Sequence, residues 1–172
     1  MNQNERVVAL AKSFLGTKEE GVNKGKWVEE FQKSVNGYAN GEPWCLAFVQ
    51  YCNNKIAAED EVKRPLFQTE HCMTLWDKTP EAKKFIEPQV GDVVIWRKYV
   101  DQDGTTYTTL MGHAGIVSRL LDGGDYAVVE GNTSSGMRSF EREGDGVYEK
   151  IRKIDYQIRA GLVLQGFIRP WG

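Results

Sequence analysis

At 172 residues the chain suits a single domain that buries about 70% of the surface its unfolded form exposes, so it needs neither metal nor disulfide staples. Its 22 Lys+Arg against 24 Asp+Glu leave a net charge of -2, which argues against a nucleic-acid or anionic-membrane binder. Three cysteines, Cys45, Cys52 and Cys72, are an odd count with no C-x-x-C pair, which speaks against a disulfide framework or a zinc knuckle and suits a reducing compartment.

No apolar run approaches the roughly 20 residues of a membrane span. The first residues, Met1 to Arg6, lead straight into an amphipathic helix and lack the basic start and apolar core of a secretory signal. Synthesis in the cytoplasm without a signal peptide is therefore expected.

Apolar spacing predicts a helix over 4–16, with Val7, Leu10, Ala11, Phe14 and Leu15 as its stripe and Gly16 as its end. A second follows over about 24–36, carrying Trp27, Val28, Phe31 and Val35 and stopping at Gly37. A third starts near Pro43-Trp44-Cys45 and runs to about Ala58. Pro43 suits a first helical turn, where its missing N–H has no partner to lose. Residues 59–64 read as a charged connection, and Pro65–Lys78 as a weaker helix ended by Thr79-Pro80.

After Pro88 the period changes. Gly91–Tyr99 is β-branched and aromatic and reads as a strand. Asp101–Gly104 is a turn signal, and Thr105–Leu110 either pairs back as a strand or forms a polar loop. Gly112–Val117 is a strand, Asp122–Asp125 a tight turn, and Tyr126–Glu130 the next strand, followed by a small-residue loop over Gly131–Gly136. Val147–Ile154 and Ala160–Ile168 complete the sheet. Helices followed by antiparallel strands point to an α+β domain with the helices packed on one face.

The polar residues suited to catalysis are few. Cys45 falls in the first turn of its helix, where unpaired N–H groups and the helix dipole favour an anion and lower a thiol pKa. His113 opens a strand between Gly112 and Ala114, small neighbours expected to leave its ring accessible. His71 lies beside Cys72 among polar residues and reads as surface or as a satisfied structural side chain. In Val128–Asn132, Glu130 and Asn132 are two apart and would project together from a strand. A carboxylate and an amide there could orient an imidazole and stabilise its charged form. Cys52, seven residues past Cys45, reads as core, and Trp44 as either groove lining or packing. The order of nucleophile, base and orienting group is that of a cysteine hydrolase on a papain-like scaffold.

Four blocks, Pro43–Val49, Gly91–Trp96, Gly112–Val117 and Val129–Thr133, resemble the successive motifs of CHAP domains, the cysteine- and histidine-dependent amidohydrolases and peptidases of bacteria and their phages. The resemblance covers about residues 5–170. It implies a papain-like α+β fold and hydrolysis of the peptide part of peptidoglycan, at the muramoyl–alanine amide or within stem and cross-bridge peptides. By position it makes Cys45 the nucleophile, His113 the base, Glu130 its orienting group and Asn132 the accompanying polar residue. Some relatives bind calcium through an Asp-rich loop before the cysteine. Gly37–Glu42 has no aspartate, so neither metal nor cofactor is expected.

The chain is read as one catalytic domain over 1–172 with no separate wall-binding domain, and as a monomer that does not insert into membranes. It would act at the wall or periplasm as a phage lysin, a virion enzyme or an injected effector. The last would require an immunity partner. Two other readings use the same residues: an inactive CHAP-like binding or assembly module, and a cysteine hydrolase acting on a protein outside the wall.

Overall fold

A computed structural model describes residues 1–134 and 144–172. Four helices come first: α1 (Gln3–Ser13), α2 (Lys26–Asn36), α3 (Cys45–Glu59) and α4 (Cys72–Lys78). Six strands follow: β1 (Lys84–Phe85), β2 (Val93–Gln102), β3 (Thr105–Leu120), β4 (Tyr126–Thr133), β5 (Gly146–Arg152) and β6 (Gly161–Ile168). They form one sheet in the order β1-β6-β2-β3-β4-β5, with every neighbouring pair antiparallel. The chain is an α+β protein, as its helix-then-strand order predicts.

Local chemistry explains where the helices begin and end. Asn2 and Glu5 close a capping box at the start of α1, each side chain accepting from the other's backbone N–H at 2.9 Å. Helix α1 stops at Ser13, short of Gly16. Phe14 still reaches the core, ringed edge-on by Phe31, Phe48 and Tyr51, whereas Leu15 is exposed and drops out of the expected stripe. Helix α2 ends on Gly37, whose left-handed φ of 81° lets its N–H return to the Lys33 carbonyl.

Helix α3 is the centre of the helical layer. Eleven of its fifteen residues are buried, so it is covered nearly all round rather than along one stripe. Its buried polar residues hold neighbouring backbone. Gln50 donates to the carbonyls of Phe67 and Thr69, at 2.7 and 3.2 Å, and Asn54 donates to the Gln68 side chain at 2.8 Å, which in turn donates to the Leu66 carbonyl at 2.9 Å. These bonds explain why 65–71 is irregular and the expected 65–78 helix contracts to α4. Side chains of α3 satisfy that backbone, and no helical ladder is needed.

The sheet is buried on both sides. Val93, Ile95, Ala114, Ile116 and Val129 face the helices in the main core. The alternate positions Val94, Trp96, Val117, Tyr126 and Val128 form a second cluster with Leu164 and Phe167. Thr105–Leu110 is strand rather than loop. It continues into Gly112–Val117 as the sixteen-residue β3 and pairs back on β2 across the positive-φ turn Asp103-Gly104. Strands β5 and β6 start and end within a residue or two of expectation, except that Ile154 lies outside β5. Strand β1 is two residues long and carries no periodicity to read. Of the loop expected over Gly131–Gly136, the first three residues belong to β4, and Ser135 and Gly136 lie outside the described residues.

Candidate active site

Helix α3 begins at Cys45 itself, with Trp44 as its N-cap and Pro43 outside the first turn. No side chain caps this end, so the opening N–H groups, which have no intrahelical acceptor, surround the Cys45 position. Trp44 is wholly buried, stacked on Phe31 and donating to Glu19 at 3.1 Å. It packs and does not line a groove.

Cys45 is 5% exposed and opens into a cleft of about 140 Å³. The walls come from Glu42 and Pro43, from Glu70, His71 and Cys72, and from Leu110, Met111 and Gly112. His71 is exposed, as expected, yet its place on this wall was not legible in the sequence. Cys72 Sγ lies 3.9 Å from Cys45 Sγ. Glu70 accepts from Asn36 and, at 2.5 Å, from Asn40; burial raises its pKa. A larger cleft, about 300 Å³, is lined by Trp96, Arg152, Lys153, Asp155, Arg159 and Leu164 and contains neither cysteine nor histidine.

His113 and Glu130 are drawn together from adjacent strands, Nε2 to Oε1 at 2.6 Å, and neither is exposed to solvent. The expected accessibility of the His113 ring is therefore wrong. Its small neighbours serve close approach instead: a Cβ on Gly112 would stand 2.5 Å from the Trp96 carbonyl, and one on Gly115 would stand 2.8 Å from Glu130 Cγ. The His113 ring also stacks on Trp96, its cross-strand partner, at 5.7 Å and 26°.

With Nε2 committed to Glu130, Nδ1 is the nitrogen left to serve a thiol. It is buried, and it is the side of the ring open to interaction with Cys45. Burial works to lower the His113 pKa, but hydrogen bonding to Cys45 and to Glu130 and the charge of both outweigh it, and the pKa is raised to about 9. Burial likewise works to raise the Glu130 pKa. Hydrogen bonds and charge from His113 and Arg152 prevail, and it is lowered.

Arg152, on β5, holds the second side of Glu130. Its Nε donates to Oε2 at 2.8 Å and its Nη2 to Oε1 at 2.7 Å, a two-pronged bond with both residues buried. The guanidinium also lies 5.4 Å from the centre of the Trp96 ring. Neither Arg152 nor Trp96 was read as a site residue. The signal for Arg152, a basic residue on the strand face that carries Glu130, depends on the β4–β5 register, which no local sequence pattern encodes.

Asn132 does not join this cluster by a hydrogen bond. The register between β4 and β5 shifts between Glu130 and Thr133, and Asn132 has a left-handed φ of 54°. The expected two-residue alternation is broken there. Its amide is buried with neither Oδ1 nor Nδ2 partnered among the described residues. Cys52 is core, and burial pushes its thiol pKa up. Among the described residues no group of three or more His, Cys, Asp or Glu is placed to hold a metal ion.

A thiol at a helix start, a buried imidazole and a carboxylate that supports its charged form make a set suited to nucleophilic attack on a carbonyl. A family model, CHAP domain, matches residues 37–132, more than half of the chain. The chain belongs to the CHAP domain family. That membership supports hydrolysis of amidase or peptidase type. The CHAP match takes in Cys45, His113, Glu130 and Asn132 and stops short of Arg152. No curated protein and no solved structure matches the chain. Among the described residues, no helix is long and apolar enough to cross a membrane.

Proposed function

We propose that the protein is a cysteine amidohydrolase or peptidase that cleaves an amide bond in the peptide part of peptidoglycan through a thioester. The observation that carries this reading is the buried His113–Glu130 pair beside Cys45, inside the span of the CHAP match. Cys45 attacks the scissile carbonyl as a thiolate. His113, holding the thiol proton on the nitrogen not bonded to Glu130, delivers it to the leaving amine, and water then releases the acyl group from sulfur. The N–H groups at the start of α3 are placed to receive the oxyanion, the Cys45 N–H first among them, and such a donor is worth about 3 kcal/mol. Glu130 fixes the imidazole and balances its charge. The unpartnered Asn132 amide is a second polar group for the site, available once substrate is bound.

Digestion of purified peptidoglycan, followed by mass analysis of the soluble fragments, tests both substrate and bond. Fragments with a newly exposed amine at one position identify an amidase or an endopeptidase. An intact wall after prolonged digestion by folded protein would reject the wall as substrate.

A further inference from the structure

We infer that Arg152 is a positioning residue of the site: its fixed positive charge holds the Glu130 carboxylate toward His113 and balances the charge of the Cys45 thiolate. The inference rests on the cysteine reading above and extends it to a residue outside the family match.

Charge counting carries it. The attacking state contains a Cys45 thiolate, a His113 imidazolium and a Glu130 carboxylate. His113 and Glu130 have no solvent exposure and Cys45 has 5%. Those three alone sum to one negative charge in a medium that solvates charge poorly, where an unbalanced ion is costly. Arg152 is 5% exposed and bonds both Glu130 oxygens, and with it the four charges sum to zero. One carboxylate is thereby shared between two cations. It orients His113 through Oε1 while its own position is fixed by the planar guanidinium, which a single-point ammonium cannot reproduce. Trp96 packs against both cations, stacked on the imidazole and under the guanidinium.

No other ion among the described residues has this geometry. Among the described residues the remaining groups near these four are Cys72 on α4, Tyr126 on β4, whose hydroxyl burial keeps protonated, Lys150 on β5, fully buried and donating to the Ser134 carbonyl at 2.7 Å rather than to Glu130, and Glu42, Glu70 and His71 on the cleft wall. Lys153, Asp155 and Arg159 line the cleft beside Arg152, the last two paired with each other at 2.6 Å.

The test is the pH dependence of iodoacetamide alkylation at Cys45, followed by the mass of the peptide that carries it, so that Cys52 and Cys72 are read separately and no wall substrate is needed. Wild type should alkylate with a midpoint well below that of an ordinary thiol, about 8.5. Arg152→Gln should move the midpoint up by roughly one unit or more, leaving about tenfold less thiolate at neutral pH. Arg152→Lys should have a midpoint between those of wild type and Arg152→Gln, because it keeps the charge and loses the two-pronged grip on Glu130. Glu130→Gln/Arg152→Gln should have a higher midpoint than Glu130→Gln alone, because only the single variant keeps the guanidinium charge. The double variant leaves no buried unpaired ion, so it carries the test if Arg152→Gln does not fold. Equal midpoints in Glu130→Gln and the double variant, or an unmoved midpoint in folded Arg152→Gln, overturn the inference. A merely structural Arg152 would lower thermal stability without ordering the midpoints in this way. An ordinary midpoint already in wild type would instead refute Cys45 as an activated thiol, a separate failure.

Discussion

At the scale of single residues the account turns on what each side chain is bonded to. Glu130 is fully buried and shared by His113 and Arg152, so Glu130→Gln should lower kcat on purified wall by about a hundredfold or more, within the range attributed to general acid–base assistance. Turnover assays at matched folded concentration check this, and a loss below threefold would contradict it. The sequence reading reached Cys45, His113 and Glu130 because cysteine and histidine are scarce residue types at telling positions: only two histidines exist, and one of them leads into the β-branched run Ile116-Val117. It missed Arg152 because lysines and arginines are many. The plain alternation read from Glu130 to Asn132 does not hold, because a register shift and a left-handed φ at Asn132, invisible to a two-residue period, intervene after Glu130.

At the scale of elements, the site is a joint between the start of α3 and the strands β3 and β4, and its tolerance is set by how closely they approach. A methyl on Gly131 would stand 2.8 Å from the Trp44 ring and 2.9 Å from Phe48 Cβ, so Gly131→Ala should push β4 off α3. It should destabilise by about 1–3 kcal/mol in urea melts, a typical overpacking cost, and lower activity further by separating Glu130 from the helix that carries Cys45. Unchanged stability would show that the joint gives way easily.

A second element contact is the ion pair from Asp92, before β2, to Arg169, after β6. Arg169 donates to both carboxylate oxygens at 2.9 Å, and Asp92 is 1% exposed. Arg169→Met should cost about 3 kcal/mol by leaving that carboxylate unpaired, with the pH profile of activity unmoved. Helices α1 to α3 and most of the sheet were legible from period and caps. The Pro65–Thr69 part of the fourth helix was not, because its backbone is held by Gln50 of α3, a long-range arrangement no local pattern encodes.

For the whole molecule, the buried ion set ties stability to pH. The His113 pKa is raised from its ordinary 6.5 to about 9, so its stabilising contribution is fully present below about 6.5 and is lost as pH rises through about 9. Glu130 is lowered from its ordinary 4.5, so its contribution is present above 4.5 and is lost as pH falls through its lower folded value. Thermal midpoints measured from pH 4 to 10 should be highest between those limits and fall toward pH 10. The alkaline decline should be smaller in His113→Gln, and an identical decline in that variant would place its origin elsewhere. The overall class, helices before an antiparallel sheet, follows from the change of period near Pro88. The second cluster behind the sheet does not, because β2 and β4 carry apolar residues at consecutive positions and so leave open which face is covered.

The most direct test of the central claim is release of soluble peptide from purified peptidoglycan by wild type, Cys45→Ala and Cys52→Ala, all shown to be folded. Cys45 as nucleophile predicts release by wild type and Cys52→Ala, and none above background by Cys45→Ala. Release by Cys45→Ala at the wild-type rate would contradict it.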